Sequence, residues 1–285
     1  MGKTFEGSTF KSGAKVTILD EYADIYTDIL GSAWPEDLWY IETHAGTGVI
    51  DTGDYEIDGS TITILKNYRE DFAGFYFYEK RQEHFEELIQ RLEAEFGWTF
   101  EVSPLKPTEK NFDVARLEEP YIRIMNADSN QNAPFLAENS NPERHWLVFI
   151  DQAGPTVEMD TIAAFLDRGH MDMLLTFPTT GIHRSAGSEH SKHVVDNHYG
   201  GDDWTEDATM DERVEEFVAK IEERGEYRPV ITRELRWPQK PQSRFDLVFA
   251  SGHPKARKLA KERMQQEEIW DKARERLGMG NISSW

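Results

Sequence analysis

Short apolar runs rich in β-branched and aromatic residues alternate along the chain with longer amphipathic stretches. Such runs predict buried strands, and the stretches between them predict helices. The pattern predicts seven strands: Trp39–Thr43, Phe75–Glu79, Tyr121–Met125, Trp146–Asp151, Met171–Phe177, Val230–Leu235 and Phe245–Ala250. It predicts helices at Ala14–Leu30, Ser60–Tyr68, Arg81–Phe96, Met159–Arg168, Asp211–Arg224 and Pro254–Leu277. This alternation is typical of an α/β fold, with a mostly parallel sheet covered by helices on both faces.

The last two predicted strands are joined differently from the others. Only residues 236–244 separate them, and two of these are prolines. A parallel connection needs a crossover of a dozen or more residues, so the pair is predicted to form an antiparallel hairpin. Five parallel strands closed by a hairpin indicate the Rossmann-like fold of class I methyltransferases, whereas a dinucleotide-binding domain has six parallel strands. We therefore predict one seven-stranded domain over 14–278, with a flexible N-terminus at 1–13 and a tail at 279–285.

A glycine-bearing turn follows the first predicted strand directly. Glu42 ends this strand, and Ala45, Gly46 and Gly48 lie in the turn. Glycine allows the backbone to approach a ligand closely or to adopt positive φ. In a doubly wound sheet the turn lies at the carboxyl end of the first strand, where ligands bind. The four residues are therefore candidate cofactor ligands, and an ordinary tight turn is the alternative.

Acidic residues also follow the next two strands. Glu79 ends the second, at the position where an acidic residue usually accepts the ribose hydroxyls of a nucleotide. Asp128 follows the third, where it could bond an adenine. Each could instead be a solvated carboxylate near a helix start. Because the carboxyl ends of parallel strands meet at one edge, the three acids together favour a site for an adenosine-containing ligand.

The predicted substrate side begins where the fourth strand ends. Asp151 follows a very apolar run and is the predicted catalytic or acceptor-orienting group, with a helix N-cap as the alternative. Gln152 comes next and is a candidate substrate ligand. A predicted loop after the fifth strand contains Pro178, His183 and Arg184, which could meet an anionic substrate. The alternative for these residues is an ordinary solvated loop.

Several motifs together resemble the three-Cys-motif partner proteins (TcmP), over about Lys11 to Met264. The family's first-strand motif, Tyr-Ile-Asp-x-Phe-Ala-Gly-x-Gly, has its counterpart in Tyr40–Gly48. The later counterparts are Gly59–Ser60, Phe77–Lys80, Phe149–Asp151 and Phe245–Pro254. The resemblance implies a methyltransferase-like domain that binds S-adenosylmethionine. It also implies a partner protein with three cysteines, which looks like a radical-SAM iron–sulfur protein, and a nucleic acid as the methyl acceptor.

The chain departs from the family pattern at functional positions. Glu42 replaces an aspartate, and His44 replaces a phenylalanine. The turn at 151–155 lacks the family's Pro-Phe, and with it the aromatic ring that stacks on a base in related amino-methylating enzymes. Two functions therefore stay open: a methyltransferase, or a non-catalytic scaffold of the same fold in nucleic-acid repair or mobile-element defence. An NAD-type oxidoreductase is disfavoured because no complete G-x-G-x-x-G follows the first strand.

Charge refines the class of protein. The chain has 53 acidic and 32 basic residues, a net charge of −21 spread along its length. Such a surface stays hydrated in concentrated salt, which favours a cytoplasmic, haloarchaeal protein over an ordinary acidic one. It also argues against general affinity for nucleic-acid backbones at low salt, unless a partner or a local basic patch supplies the charge. The one local exception is 254–277, which has eight basic and five acidic residues and is either a docked helix or a binding arm.

Two classes of site are disfavoured by composition. No cysteine is present, which excludes disulfides and thiolate metal sites within the chain. His190 and His193 have a metal-ligand spacing, but the pattern offers no third ligand, so we predict no metal site. No apolar run reaches 18 residues, so we predict no membrane span.

Overall fold

A computed structural model describes residues 5–31, 33–34, 37–105, 112–224, 228–237, 240–266 and 268–278. The helices are α1 (Phe5–Leu30), α2 (Ser60–Tyr68), α3 (Gln82–Phe96), α4 (Ser129–Asn139), α5 (Met159–Arg168), α6 (Thr179–Ala186), α7 (Lys192–Tyr199), α8 (Met210–Glu222), α9 (Pro254–Met264) and α10 (Glu268–Arg276). The strands are β1 (Leu38–Glu42), β2 (Val49–Asp51), β3 (Glu56–Asp58), β4 (Gly74–Tyr78), β5 (Glu101–Leu105), β6 (Phe112–Leu117), β7 (Ile122–Met125), β8 (His145–Ile150), β9 (Met171–Phe177), β10 (Arg228–Trp237) and β11 (Lys240–Ser251).

All seven predicted strands lie in one sheet, whose order is β10-β11-β9-β8-β1-β4-β7-β6-β5. The five central strands β9, β8, β1, β4 and β7 are parallel. Strand β11 runs antiparallel to both β9 and β10, which confirms the closing hairpin. The strand order reverses between β1 and β8, so their carboxyl ends form the switch point at which this fold binds ligands.

The sheet has nine strands in the described residues, so the predicted count of seven is wrong. Strands β5 and β6 form an antiparallel hairpin that extends the sheet beyond β7. Pro104 lies within β5, and Val102 is half exposed. A proline is tolerated only where its missing N–H faces outward, as at a sheet edge. The short and interrupted apolar pattern of such an edge strand gave no clear sequence signal.

Two hydrophobic clusters, one on each face of the sheet, hold these layers together. Tyr40, Phe75 and Phe149 point to the face covered by α1, α2, α3, α9 and α10. Trp39 and Trp146 point to the face covered by helices α4 to α8. Alternating side chains of the same strands thus serve opposite faces, as expected of strands buried on both sides. In the described part of the chain, no helix has the length and apolar character needed to cross a membrane.

The structure differs from the prediction near both ends of the domain. Helix α1 begins at Phe5, so much of the segment predicted as a flexible N-terminus is helical. Lys11 in this segment is buried, and its ammonium donates to the Ser243 carbonyl at 2.9 Å. The predicted helix at 254–277 is two helices. Its buried Met264 and Ile269 are five residues apart, which would place them about 140° apart around one straight helix. The break lets both reach the core.

One predicted loop has regular structure: the segment after β9 that carries His183 and Arg184 is helix α6. Residues 49–59, between the glycine turn and α2, form the small β2–β3 hairpin. Its register pairs Val49 with Asp58, which brings the chain back to the start of α2.

Candidate functional site

The glycine turn after β1 has one glycine that packs and one that faces open space. Gly46 and Gly48 both have positive φ, 61° and 82°. A Cβ on Gly48 would lie 2.8 Å from Leu88 Cδ1, so this glycine allows α3 to pack against the turn. A Cβ on Gly46 would meet no atom within 4 Å. Ala45 fixes the turn to β4 through its N–H, which donates to the Tyr78 carbonyl at 2.9 Å. Gly46 is therefore where a ligand could approach the backbone.

Glu79 joins the second strand end to this turn. Its Oε2 accepts a hydrogen bond from the Gly46 N–H at 2.9 Å, and its Oε1 accepts from the Arg81 N–H at 2.8 Å. The side chain is largely buried at the base of α3. Two predicted cofactor ligands, Gly46 and Glu79, are thus in direct contact. The carboxylate holds the turn in shape through bonds to backbone N–H groups.

Glu42 lies beneath the turn and is fully buried. Its carboxylate accepts hydrogen bonds from the hydroxyls of Ser60, of Thr61 at 3.1 Å and of Tyr40 at 3.2 Å. Burial raises the pKa of Glu42 to about 8, although the Ser60 and Thr61 hydrogen bonds act in the opposite direction. Glu42 therefore ties β1 to the first turn of α2, and sequence reasoning did not foresee these partners.

His44 lies where the strand ends converge. Its Nδ1 is 2.8 Å from Thr43 Oγ1, and its Nε2 is 3.4 Å from Thr156 Oγ1. Burial lowers the pKa of His44, and nearby negative charges oppose this shift; those charges belong to Asp151, Glu79 and Asp128. The acids that follow β8, β4 and β7 therefore all act on one imidazole beside the glycine turn. The predicted group of acids was Glu42, Glu79 and Asp128. Glu79 and Asp128 are among these charges, whereas Glu42 is fully buried and bonds to Tyr40, Ser60 and Thr61 instead.

Asp128 has one of the two roles considered for it, that of an acid at a helix start. Its Oδ1 accepts from the Asn130 N–H at 3.0 Å and caps helix α4. Its Oδ2 pairs with Lys80 Nζ at 2.7 Å. A capping carboxylate at a helix start is stabilised by the helix dipole. Asp128 is thus held at the site edge by α4, with its side chain partly exposed.

Asp151, the predicted catalytic residue, is held through a single oxygen. Its Oδ1 accepts from Lys15 Nζ at 2.5 Å and from Thr176 Oγ1 at 3.0 Å. Among the residues that the structure describes, none donates a hydrogen bond to Oδ2. The Lys15 side chain is 8% exposed and that of Asp151 is 19% exposed, so the pair is mostly screened from water. Asp151 therefore presents one fixed and one available oxygen at the site.

Lys15 is the functional residue that sequence reasoning missed. It lies on α1, more than one hundred positions before Asp151, and reaches the site only through the fold. A signal was present in the helical pattern. Lys15 falls on the face that also carries Ile18, Leu19 and Tyr22, all of which are buried. A charged residue on the apolar face of an amphipathic helix indicates a partner across the interface.

The structure gives less support to the predicted substrate ligands, two of which are buried. Gln152 is fully buried; its Oε1 accepts from the Thr156 and Val157 N–H groups, each at 2.9 Å, and its amide donates to the Thr176 carbonyl. It therefore shapes the 151–157 turn and leaves no exposed surface to a substrate. Pro178 is buried where α6 begins.

His183 and Arg184 lie farther along α6 and are exposed. His183 Nδ1 accepts from Arg213 Nε at 3.4 Å. In the described residues, no hydrogen bond or ion pair joins His183 or Arg184 to the acids around His44. Their substrate role stays a prediction. The described residues also contain no group of three or more His, Asp or Glu side chains arranged to hold a metal ion.

Comparison with known proteins places the fold. No family model matches the sequence, and no curated protein matches it. Among solved structures, protein LPL1258 of Legionella pneumophila is similar over 95% of this chain and 94% of its own, with 13% identity and a TM-score of 0.51. Trm1 from Pyrococcus horikoshii, solved with S-adenosyl-L-methionine, matches 86% of this chain and 57% of its own, with 10% identity and a TM-score of 0.46.

An S-adenosylmethionine-dependent methyltransferase from Clostridium acetobutylicum covers 81% of this chain and 91% of its own, with 10% identity and a TM-score of 0.39. At these identities the likeness concerns the fold alone. Together with the strand order, the similarity to the Legionella protein confirms the predicted doubly wound α/β fold.

Proposed function

We propose that this chain is an S-adenosylmethionine-dependent methyltransferase, with its cofactor across the glycine turn and its acceptor beside Asp151. One observation carries the proposal: Gly46, in the turn after β1, has positive φ and faces open space, and its N–H donates to Glu79 at the end of β4 at 2.9 Å. A doubly wound sheet binds its ligand at this edge.

The residues present fit such a cofactor. S-adenosylmethionine carries positive charge on its sulfonium and its amino group, and an acid-lined edge favours a cation. The space beside Gly46 is open, so a cofactor could contact the protein backbone there without a steric clash. Glu79 and Asp128 are the residues that would accept the ribose hydroxyls and the adenine amine. Glu42 would act from beneath, by fixing the turn to α2.

The acceptor step follows from the geometry of Asp151. When bound, the cofactor supplies an electrophilic methyl group on sulfur. Asp151 Oδ2 would accept a hydrogen bond from the acceptor N–H or O–H, which aims the nucleophile's lone pair at the methyl carbon. Asp151 would take the proton as the nucleophile bonds to that carbon and the sulfur–methyl bond breaks, with the sulfur leaving as a neutral thioether. Lys15 and Thr176 hold Oδ1, so the carboxylate cannot rotate away. Gln152 keeps the following turn rigid.

We extend the proposal to a nucleic-acid acceptor and to a three-Cys-motif partner of the TcmP type. The support is the set of motifs between Tyr40 and Pro254, taken in their order and spacing. The 151–155 turn contains no aromatic residue, and the chain carries a net charge of −21. A base-stacking ring and a positive surface would therefore have to come from the partner. The cytoplasmic and haloarchaeal setting stays a prediction.

Calorimetry tests cofactor binding first. Wild-type chain titrated with S-adenosylmethionine at fixed salt is expected to bind one molecule with micromolar affinity. Gly46→Val should abolish binding, because its side chain would enter the open space and its φ is positive. Gly53→Val is the matched control: Gly53 also has positive φ and open space, but lies in the β2–β3 turn. Equal affinities of both variants would refute the proposed cofactor site.

Label transfer then separates the enzyme from the scaffold. Cofactor with a tritiated methyl group is incubated with the chain and total nucleic acid, with total protein as the parallel arm. The proposal expects label in nucleic acid, increased by the three-Cys-motif partner. Cofactor binding without label in either fraction, with and without the partner, would establish the non-catalytic alternative.

A further inference from the structure

A cavity lies at the opposite edge of the sheet from the glycine turn. It has a volume of about 850 Å³ and is lined by His145, where β8 begins, and by Met171 and Asp172, where β9 begins. Asp151 follows the other end of β8, so the length of a strand, roughly 17 Å, separates the two places. A volume of this size suits a small organic ligand. We call it the amino-edge cavity.

One wall of the amino-edge cavity is an apolar stripe of α1. Tyr22, Ile25, Tyr26 and Ile29 follow at helical spacing and all line it. The wall continues to Trp34. Ile29 and Trp34 are 38% and 41% exposed, two of the five exposed large apolar side chains in the described part of the chain. An exposed apolar surface inside a cavity indicates a ligand site.

Aromatic rings continue this wall towards the sheet. The Trp34 ring lies 4.4 Å from the His145 ring, and His145 stacks on His170 at 4.9 Å. Burial lowers the pKa of His145, and the charge of His170 acts in the same direction. All three residues line the cavity. An aromatic lining favours an aromatic ligand.

Part of the cavity lining is basic, although the protein as a whole is acidic. Arg224 and Lys255 line the cavity, and neither side chain makes an ion pair or hydrogen bond with another described residue. Most of the chain's acidic residues are elsewhere, and the cavity has only Asp167 and Asp172. Asp172 is buried and accepts a hydrogen bond from Tyr22 at 2.6 Å, and burial raises its pKa.

The start of α9 adds to this basic part of the lining. His253 Nδ1 accepts from the Lys255 N–H at 3.2 Å and caps the helix, which continues for eleven residues. The first turn of α9, including Ala256, lines the cavity. The N-terminus of a helix is the positive end of its dipole and stabilises negative charge in front of it. The N-terminus of α9 and the side chains of Arg224 and Lys255 thus all contribute positive charge to the cavity.

We propose that the amino-edge cavity binds a small aromatic anion, separate from any methyl-transfer site. Its ring lies against the α1 stripe and Trp34, and its acidic group lies against Arg224, His253 and Lys255. The lining provides both aromatic and aliphatic surface and cationic groups. Charge favours an anion, because the side chains of Arg224 and Lys255 have no protein partner in the described residues.

The test is a fluorescence titration with anilinonaphthalene sulfonate, an aromatic anion, at one fixed salt concentration. We expect saturable binding of one molecule per folded chain. Lys255→Glu should weaken binding by about fivefold or more, since it places a like charge against the sulfonate. Lys261→Glu is the matched control: it makes the same change on the same helix at an exposed residue that does not line the cavity, and it should leave affinity within about twofold.

The ring and the location are tested separately. Trp34→Ala should weaken binding of the probe. N-phenylnaphthylamine, which lacks the sulfonate, should bind the wild-type chain more weakly than anilinonaphthalene sulfonate does. Gly46→Val and added S-adenosylhomocysteine should leave the probe's affinity unchanged, so failure of the methyltransferase proposal would not affect this result. Absence of saturable binding to the folded chain, equal effects of Lys255→Glu and Lys261→Glu, or displacement by S-adenosylhomocysteine would each overturn the proposal.

Discussion

The two edges of the central sheet use their polar groups in opposite ways. At the carboxyl edge the polar side chains bond to one another: Glu42 to α2, Glu79 to the glycine turn and Asp151 to Lys15. At the amino edge, aromatic rings face a cavity, and the cations Arg224 and Lys255 have no described partner. The first arrangement is preorganised, as chemistry requires, and the second leaves groups available for binding. We therefore expect changes at the carboxyl edge to have the larger effects.

The largest expected effect is that of Asp151→Asn on methyl transfer. The amide keeps the shape of the carboxylate but cannot take a proton, so the single-turnover rate should fall by roughly a thousandfold. Cofactor affinity should stay within about twofold, because Asp151 is proposed to contact the acceptor and not the cofactor, although the change also weakens the pair with Lys15. Asp160→Asn, at an exposed acid on α5, is the control. A rate within tenfold of wild type would show that Asp151 is not the proton acceptor.

Glu42→Gln should change how stability depends on pH. The folded-state pKa of Glu42 is about 8 against an ordinary value of 4.5, so the folded chain keeps a proton that the unfolded chain loses. The associated stability is complete below about pH 4.5 and is lost as pH rises through about 8. Relative to wild type, the variant should gain up to about 5 kcal/mol in unfolding free energy across this window.

Denaturant unfolding at several pH values across the window measures this difference. Glu215→Gln, at an exposed position on α8, should follow wild type throughout. If the Glu42→Gln and wild-type curves run parallel, Glu42 ionises normally and is not buried as described.

Lys15→Met should have an intermediate effect on the rate. Without the ammonium, Asp151 keeps only the Thr176 hydrogen bond and loses its fixed orientation, so transfer should slow by about tenfold. Lys15→Arg should recover most of the rate, which a mere packing role would not predict, since arginine is larger. The measurement is the single-turnover rate beside the melting temperature. Equal rates for the methionine and arginine variants would exclude a positioning role.

The smallest expected effect lies at the amino edge. Trp34 is 41% exposed, so Trp34→Ala removes little buried surface and should cost about 1 kcal/mol or less. Methyl transfer should be unchanged. The buried Trp146→Ala offers the contrast, with an expected loss of about 3 kcal/mol or more. Unfolding experiments would undermine the comparison of the two edges if Trp34→Ala proved as destabilising as Trp146→Ala or slowed transfer.

Sequence reasoning reached the parts of the molecule in which local pattern and topology agree. Parallel strands such as β8 are apolar throughout, which marks them clearly, and parallel strands must end at one edge, which places Glu79 and Asp151 together. The β5–β6 hairpin was missed because an edge strand with Pro104 carries little pattern. The break between α9 and α10 depends on what each helix packs against.

The hydrogen-bond partners within the site could not be predicted from the sequence, for a different reason. Lys15 meets Asp151, and Ser60 meets Glu42, only when separate elements dock. Gln152 was expected at the substrate and is instead buried, because three backbone groups take its amide. Residue type and spacing indicate which groups stand near an edge. They do not indicate whether a side chain turns towards the ligand or towards the protein.

A crystal structure of the chain with S-adenosylhomocysteine tests the central claim most directly. The account predicts the ligand at the carboxyl edge, in van der Waals contact with Gly46, with its ribose at Glu79 and its adenine beside Asp128. Density for the ligand in the amino-edge cavity, or a ligand at the carboxyl edge that touches none of these residues, would contradict it.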